Sequence, residues 1–343
     1  MAPHEGTLEL VHSWLEHHGV PASSISRTHG GGWLTITSVP VSQADKLLCA
    51  SYQLYKHTGA NETEAILRTV SYALPEALHP HVQTVAPTTY FASSRTLMQA
   101  PRKRFSDEAA VVLNATSLSK REDPTVTPAF LRSLYKTETY VPAAGFQNAL
   151  GTLGLQGDYP DQADLTDFMA VYREDAVDAT FYVEPVNGGG DHPGHPGVES
   201  SLDMQYGSAI SYPTPQIFYD TGGPIQWENG LPAPGDAYLE WLRYLLSQQH
   251  IPPTITVSWG NPETSVPWTY ATPLCIVFAQ LGLRGISVLV ATGDDGVGRG
   301  DCRDPSGNVR FYTMFPASCR SSNLSRSTQR RLTATGFFRS LGH

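Results

Sequence analysis

The chain has 343 residues, 40% of them hydrophobic, enough for more than one packed core, so two folding units are the natural expectation. Its 23 Lys and Arg against 32 Asp and Glu give a formal charge of −9, which argues against nucleic acid and anionic membrane surfaces as main partners. No apolar run approaches the roughly 18 residues that a membrane span requires.

Apolar residues recur at helical spacing from Thr7 to His18 (Leu8, Val11, Leu15) and from Ala44 to His57 (Leu47, Leu48, Tyr52, Tyr55), predicting two amphipathic helices. Between them Trp33-Leu34-Thr35-Ile36-Thr37 alternates as a strand does, and Thr69 to Leu74 reads as a second strand stopped by Pro75. Together these elements form an α+β unit, residues 1–91. Residues 92–125 carry Lys103-Arg104, Asp107-Glu108 and Lys120-Arg121 without sustained periodicity and read as an exposed linker, where dibasic pairs invite proteolysis. A second unit, residues 126–319, changes to an α/β pattern. Strands are expected at Ala149 to Gln156, Ala179 to Val186, Gln216 to Tyr219, Thr254 to Trp259 and Ile286 to Ala291. Helices are expected at Asp164 to Tyr172, Glu199 to Gly207, Tyr238 to Gln248 and Thr272 to Leu281. Such alternation predicts a parallel sheet with helices on its faces and a functional crevice beyond the carboxyl ends of its strands.

Four cysteines, Cys49, Cys275, Cys302 and Cys319, are too few for a disulfide scaffold, and their spacings match no zinc site. Only Cys302 and Cys319 are close in sequence; they pair, remain isolated thiols, or have a partner lost downstream. Triplets beginning at Asn61, Asn114 and Asn323 fit the glycosylation pattern and lean towards secretion, although the first residues lack a basic stretch followed by an apolar core.

Glu199 and Asp203, four residues apart, share one face of a helix. They are a solvated face, acids suited to the helix dipole, or an acid/base pair, and spacing does not choose between these. Thr292-Gly293-Asp294-Asp295-Gly296-Val297-Gly298 follows a β-rich run, either as an ordinary turn or as a place where backbone approaches a ligand. Its glycines do not give a dinucleotide fingerprint, and the adjacent aspartates would repel a pyrophosphate. His192 and His195 could ligate a metal only with partners from elsewhere. No serine stands in a convincing nucleophile context, and no G-x-S-x-G elbow exists.

In order along the chain, several segments closely resemble the sedolisin (serine-carboxyl peptidase) family, nearest its fungal tripeptidyl-peptidase-like members. They include Gly32-Trp33-Leu34, Tyr52 to His57, Arg68 to Pro75 and Pro87 to Phe91, then Thr127 to Tyr135, Gly197 to Tyr206, Val257 to Gly260, Phe278 to Gly285, Thr292 to Gly298 and Phe315 to Cys319. The resemblance implies an α/β chain: an incomplete subtilisin-like parallel-sheet catalytic domain preceded by an α+β propeptide domain. It implies that Glu199 takes the proton of a nucleophilic serine, that Asp203 orients and charges Glu199, and that a protonated Asp294 donates to the oxyanion. A histidine with a pKa near 6.5 would be protonated at roughly pH 4, where a carboxylate still accepts a proton. Ser258, Trp259 and Gly260 resemble the edge on which a substrate peptide lies. Calcium, peptide or protein substrates, the intramolecular propeptide and a secreted or vacuolar location follow from the same resemblance.

The chain departs from the family after Cys319, where members continue into a serine-bearing loop and a calcium site near the carboxyl terminus. Residues 320–343 instead hold five arginines, five serines and no acid, and read as an aberrant tail. The propeptide likewise looks incomplete at its start, and Asp295 stands where members usually carry serine. The chain as printed is therefore expected to be catalytically incompetent, with poor solubility and partial folding of its second unit. The alternative is a non-catalytic propeptide-like inhibitor or chaperone, or a degenerate binding module.

Overall fold

The computed structural model describes residues 3–28, 32–56, 65–91, 126–142, 148–155, 157–190, 196–222, 237–293, 307–311 and 313–319. The expected linker (residues 92–125), all three glycosylation triplets, His192, His195, Asp294, Asp295, Cys302 and residues 320–343 lie outside the described residues.

In the amino-terminal unit helix α1 (Glu5–His17) starts where the His4 ring accepts the Gly6 N–H, and it buries Val11 and Leu15. Strands β1 (Ile25–Arg27) and β2 (Leu34–Ile36) pair antiparallel. The second helix, α2 (Val41–Leu48), is shorter than its periodicity predicts. Cys49 takes a left-handed conformation at φ 46°, and Asp45 accepts from the Ala50 N–H through its carbonyl and from the Tyr52 N–H through its carboxylate. The chain beyond is strand β3 (Gln53–Lys56), paired with β4 (Ala65–Arg68). Tyr52 and Tyr55 thus continue a helical spacing outside any helix. The expected strand from Thr69 to Leu74 is also corrected. Its amides go to separate partners, Thr69 to Thr88 and Ala73 to Leu48, so no ladder forms. Leu15, Val20, Leu47, Leu48 and Leu78 close a core belonging to this unit.

The second unit opens on α3 (Pro128–Leu134), capped by the Thr127 hydroxyl with proline in the first turn. There follow β5 (Leu150–Leu155), α4 (Gln162–Tyr172), β6 (Phe181–Val186), α5 (Val198–Ser211), β7 (Gln216–Thr221), α6 (Ala237–Ser247), β8 (Thr254–Val257), the short β9 (Asn261–Pro262), α7 (Trp268–Leu283), β10 (Ser287–Val290) and β11 (Met314–Phe315). The predicted elements are all present, with ends shifted by a few residues; the two-residue strands carry too little pattern to be read from sequence.

Five strands form one parallel sheet in the order β10, β8, β5, β7, β6. Helices α6 and α7 share a core with Leu153, Leu155, Ile255, Val257 and Val288 on one face. Each fully buried leucine there contributes about 2 kcal/mol. Helices α4 and α5 pack together through Leu165, Phe168, Met169 and Ala209 on the other. From β6 to β7 the chain steps back one place through α5, and from β7 to β8 it moves the same way through α6, on the opposite face. The two crossovers therefore have opposite hands, and β6–α5–β7 is the exception to an almost universal right-handed rule. That reversed crossover carries Glu199 and Asp203.

Sequence proximity misleads over the cysteines: Cys319 is disulfide-bonded to Cys275, 44 residues earlier, because α7 runs beside the turn after β11. Cys275→Ser is expected to destabilise the fold by about 3 kcal/mol in denaturant unfolding. An unchanged midpoint, or a free Cys275 thiol by mass spectrometry, would contradict the pairing.

Candidate functional site

Both carboxylates of the predicted pair lie in the first turns of α5. Glu199 is only 3% exposed, which removes the solvated-face reading. Part of Asp203 touches solvent, yet its Oδ2 is sealed from it. The Ser258 hydroxyl, just past the end of β8, donates to Asp203 Oδ1 at 2.7 Å. This hydrogen bond joins two segments 55 positions apart in sequence at the carboxyl ends of parallel strands.

The proton affinity of Asp203 is raised, with its pKa at about 7. Burial is the largest cause; the Ser258 hydroxyl opposes it, the Asp158 charge adds to it, and a hydrogen bond with Glu199 opposes it. A carboxyl in this state keeps its proton through the acid range.

The other predicted residues divide into two groups. Trp259 is buried, and its indole N–H donates to the Leu153 carbonyl at 3.1 Å, tying the end of β8 to β5. Its side chain is thus an anchor. Asp294 lies outside the described residues, but the path towards it is set. Val290 pairs with Val257, the Ala291 N–H donates to the Val257 carbonyl, and Gly293 at φ 94° turns the chain as only glycine does readily.

Two acids that sequence reading passed over also belong here. Asp158, after β5, accepts the Ser200 N–H at 2.9 Å. Asp220, 1% exposed near the end of β7, accepts the Gly190 N–H at 2.5 Å. A Cβ on Gly189 would fall 1.9 Å from the Asp220 carbonyl oxygen, so the loop after β6 requires glycine there. The available signal was their position at strand ends, where this fold gathers polar groups.

Next to the edge formed by Ser258 to Gly260, the amino-terminal unit docks. Tyr90 stacks on Tyr270 with ring centroids 4.1 Å apart, and its hydroxyl accepts from Asn261 Nδ2 at 3.1 Å. Arg68, itself buried, donates to the Tyr90 carbonyl at 2.6 Å, and Trp33 and Ala86 also pack on the sheet domain's core. Among the described residues no group of three or more His, Cys, Asp or Glu side chains could hold a metal ion. Among them, too, no helix is long and apolar enough to cross a membrane.

The state of Asp203 fixes a pH dependence. Its folded pKa of about 7 exceeds the ordinary 3.8, so the folded protein binds the extra proton. This contribution is fully present below about pH 4 and is lost as pH rises towards 7. Unfolding free energy is expected to fall by about 2–4 kcal/mol over that window. Asp203→Asn should flatten the fall in denaturant titrations; an identical slope in the variant would show that Asp203 is not the group responsible.

Comparison with known proteins adds an independent line. Residues 1–91 match the model of the pro-kumamolisin activation domain. A protein of Trichophyton verrucosum described as a probable tripeptidyl-peptidase is 32% identical over 336 residues, covering 93% of this chain and 54% of its own length. A tripeptidyl-peptidase of Arthroderma otae is 31% identical over 337 residues, with the same coverage. The chain thus spans about half the length of the curated relatives it matches. Among solved structures, Pseudomonas sedolisin, a serine-carboxyl proteinase complexed with two molecules of pseudo-iodotyrostatin, aligns at 19% identity over 57% of this chain and 52% of that chain, with a TM-score of 0.40. The activation-domain match and the relatives that span nearly the whole chain identify it as a member of the sedolisin, or serine-carboxyl peptidase, family.

Proposed function

We propose that this chain supplies the propeptide and the acid/base half of a serine-carboxyl peptidase that cleaves peptides under acid conditions. One observation carries the reading: Ser258 closes on a partly buried, proton-retaining Asp203, one helical turn from a buried Glu199, at the carboxyl ends of parallel strands. Glu199 is the general base that takes the proton of a nucleophilic serine. Asp203, which retains its proton at low pH, leaves Glu199 as the ionised member of the pair, one helical turn away, while the Ser258 hydroxyl holds Asp203 through Oδ1. A carboxylate is suited to this task where imidazole would already be charged.

Asp294 is the proposed oxyanion donor, reached through Gly293 beside the end of β8. A protonated carboxyl there stabilises the tetrahedral intermediate as its charge develops. The substrate backbone lies along Ser258 to Gly260 by strand addition. The propeptide occupies the approach to that edge through Tyr90, and cleavage in residues 92–125 releases it. Tripeptide removal, rather than internal cleavage, is the activity that the names of the relatives suggest. Secretion is the location that the glycosylation triplets and the family resemblance point to. Calcium is a cofactor only of the complete family member in this reading, at a site that this chain does not carry.

No residue of this chain is proposed as the nucleophile. Alone, residues 1–343 are therefore expected to show no peptide hydrolysis and no labelling by a fluorophosphonate probe between about pH 3 and 7. Co-expression with the serine-bearing carboxyl-terminal part of a fungal tripeptidyl-peptidase is expected to give acid hydrolysis of a tripeptidyl amide. Glu199→Gln should reduce that rate by about 100-fold or more. Hydrolysis indifferent to both Glu199→Gln and Asp203→Asn would contradict the assignment. The second reading, an inhibitor module, draws on the separate core of residues 1–91. It gains ground only if the intact chain slows a related peptidase while the complemented form stays inert.

A further inference from the structure

Helix α5 begins on Gly197, which has no side chain to bond the amides of the first turn. Such a helix end beneath two acids that must hold one orientation needs a substitute cap. We propose that Asp158 is the positioning residue of the Glu199 and Asp203 pair, capping α5 from the loop after β5 in the space that Gly197 leaves open.

Three hydrogen bonds stitch that loop to the start of α5. Asp158 Oδ1 accepts the Ser200 N–H at 2.9 Å, and the Asp158 carbonyl accepts the Ser200 hydroxyl at 2.7 Å. The Tyr159 carbonyl accepts the Gly197 N–H at 2.7 Å. Ser200 is 1% exposed, so its two bonds are shielded on the serine side, where a missing partner is costly. The fit is mutually exclusive with a side chain at 197. A Cβ there would stand 1.8 Å from Asp158 Oδ1 and 2.2 Å from its Cγ. The glycine is required by the aspartate, and the aspartate does the work an N-cap side chain ordinarily does.

The arrangement fixes the first turn of α5 about its axis, because Ser200 is held while its neighbour Glu199 is turned inward. It also places a carboxylate near Asp203. The ionisable groups acting on Asp203 are Glu199 from its own helix and Asp158 from the β5–α4 loop, while β8 contributes the neutral Ser258 hydroxyl. Asp158 thereby helps Asp203 keep its proton. The catalytic meaning of this positioning rests on the peptidase reading; the exchange described next does not.

Thermal melting of the full chain tests it with Gly197→Ser, Asp158→Ala, the combination of both, and Asp158→Asn. Each of the first two alone is expected to lower Tm by about 3 °C or more, one by collision and the other by loss of the cap. Combined, they should regain at least half of the Asp158→Ala loss, since the serine hydroxyl then caps in place. Asp158→Asn keeps an acceptor for Ser200 but no charge. It should melt near the parent at pH 5 while the fall in Tm from pH 4 to 7 shrinks by about a third or more. Additive losses in the combined variant, or an unchanged pH dependence in Asp158→Asn, would overturn the proposal. Should Asp158→Ala fail to fold, the pH dependence of Asp158→Asn decides alone. No readout uses peptide hydrolysis, so failure of the peptidase reading would leave these outcomes standing.

Discussion

Taking two carboxyl groups out of water within one turn of the same helix is the constraint to which the rest of the sheet domain answers. Like charges there repel, and desolvation disfavours both ionised forms, so one group keeps a proton and the other needs donors. The structure meets this with the Ser258 hydroxyl on Asp203 and with the amino end of α5, whose dipole favours Glu199 in its first turn. The placement depends on long-range features. The reversed crossover puts α5 beside α4 rather than beside α6, and β8 lies next to β5, so that Ser258 reaches across.

The amino-terminal unit and the sheet domain each close their own core, yet they meet at a defined aromatic contact. Tyr90 lies on Tyr270, Tyr270 packs against Phe315, and the Asn261 amide donates to the Tyr90 hydroxyl. Phe315 belongs to β11, whose partner β9 contains Asn261, and the Cys275 to Cys319 disulfide fastens the turn after β11 to α7. The surface that receives the propeptide is thus braced by the same elements that border Ser258 to Gly260.

Much of the fold was legible because α/β alternation leaves period and composition on each segment; Leu150–Leu155 is an almost wholly buried run, as a central parallel strand requires, and Ser287–Val290 alternates exposed and buried positions, as an edge strand does. The failures have local causes. Tyr52 and Tyr55 continue the helical spacing of Leu47 and Leu48, but Asp45 ends the helix with bonds that no periodicity reports. Thr69 to Leu74 has strand composition without a strand beside it. For the site, the sequence offered Glu199 and Asp203 as a pair on one face but not whether that face met water. Asp158 and Gly197 were invisible together, since a glycine required by an aspartate 39 positions away is a fact of three-dimensional space. Cys275 was passed over as a partner for the same reason.

The central claim is that the α5 acids form a buried couple that shares a proton, and a direct titration of their carboxyl carbons tests it. With ¹³C-labelled aspartate and glutamate in the full chain, assigned by Asp203→Asn and Glu199→Gln, the account predicts that Asp203 holds its proton to about pH 7 and that its titration shifts when Glu199 is replaced. Two independent titrations near pH 4, each unmoved by replacing the other residue, would mean that both acids face water, and the account would fail.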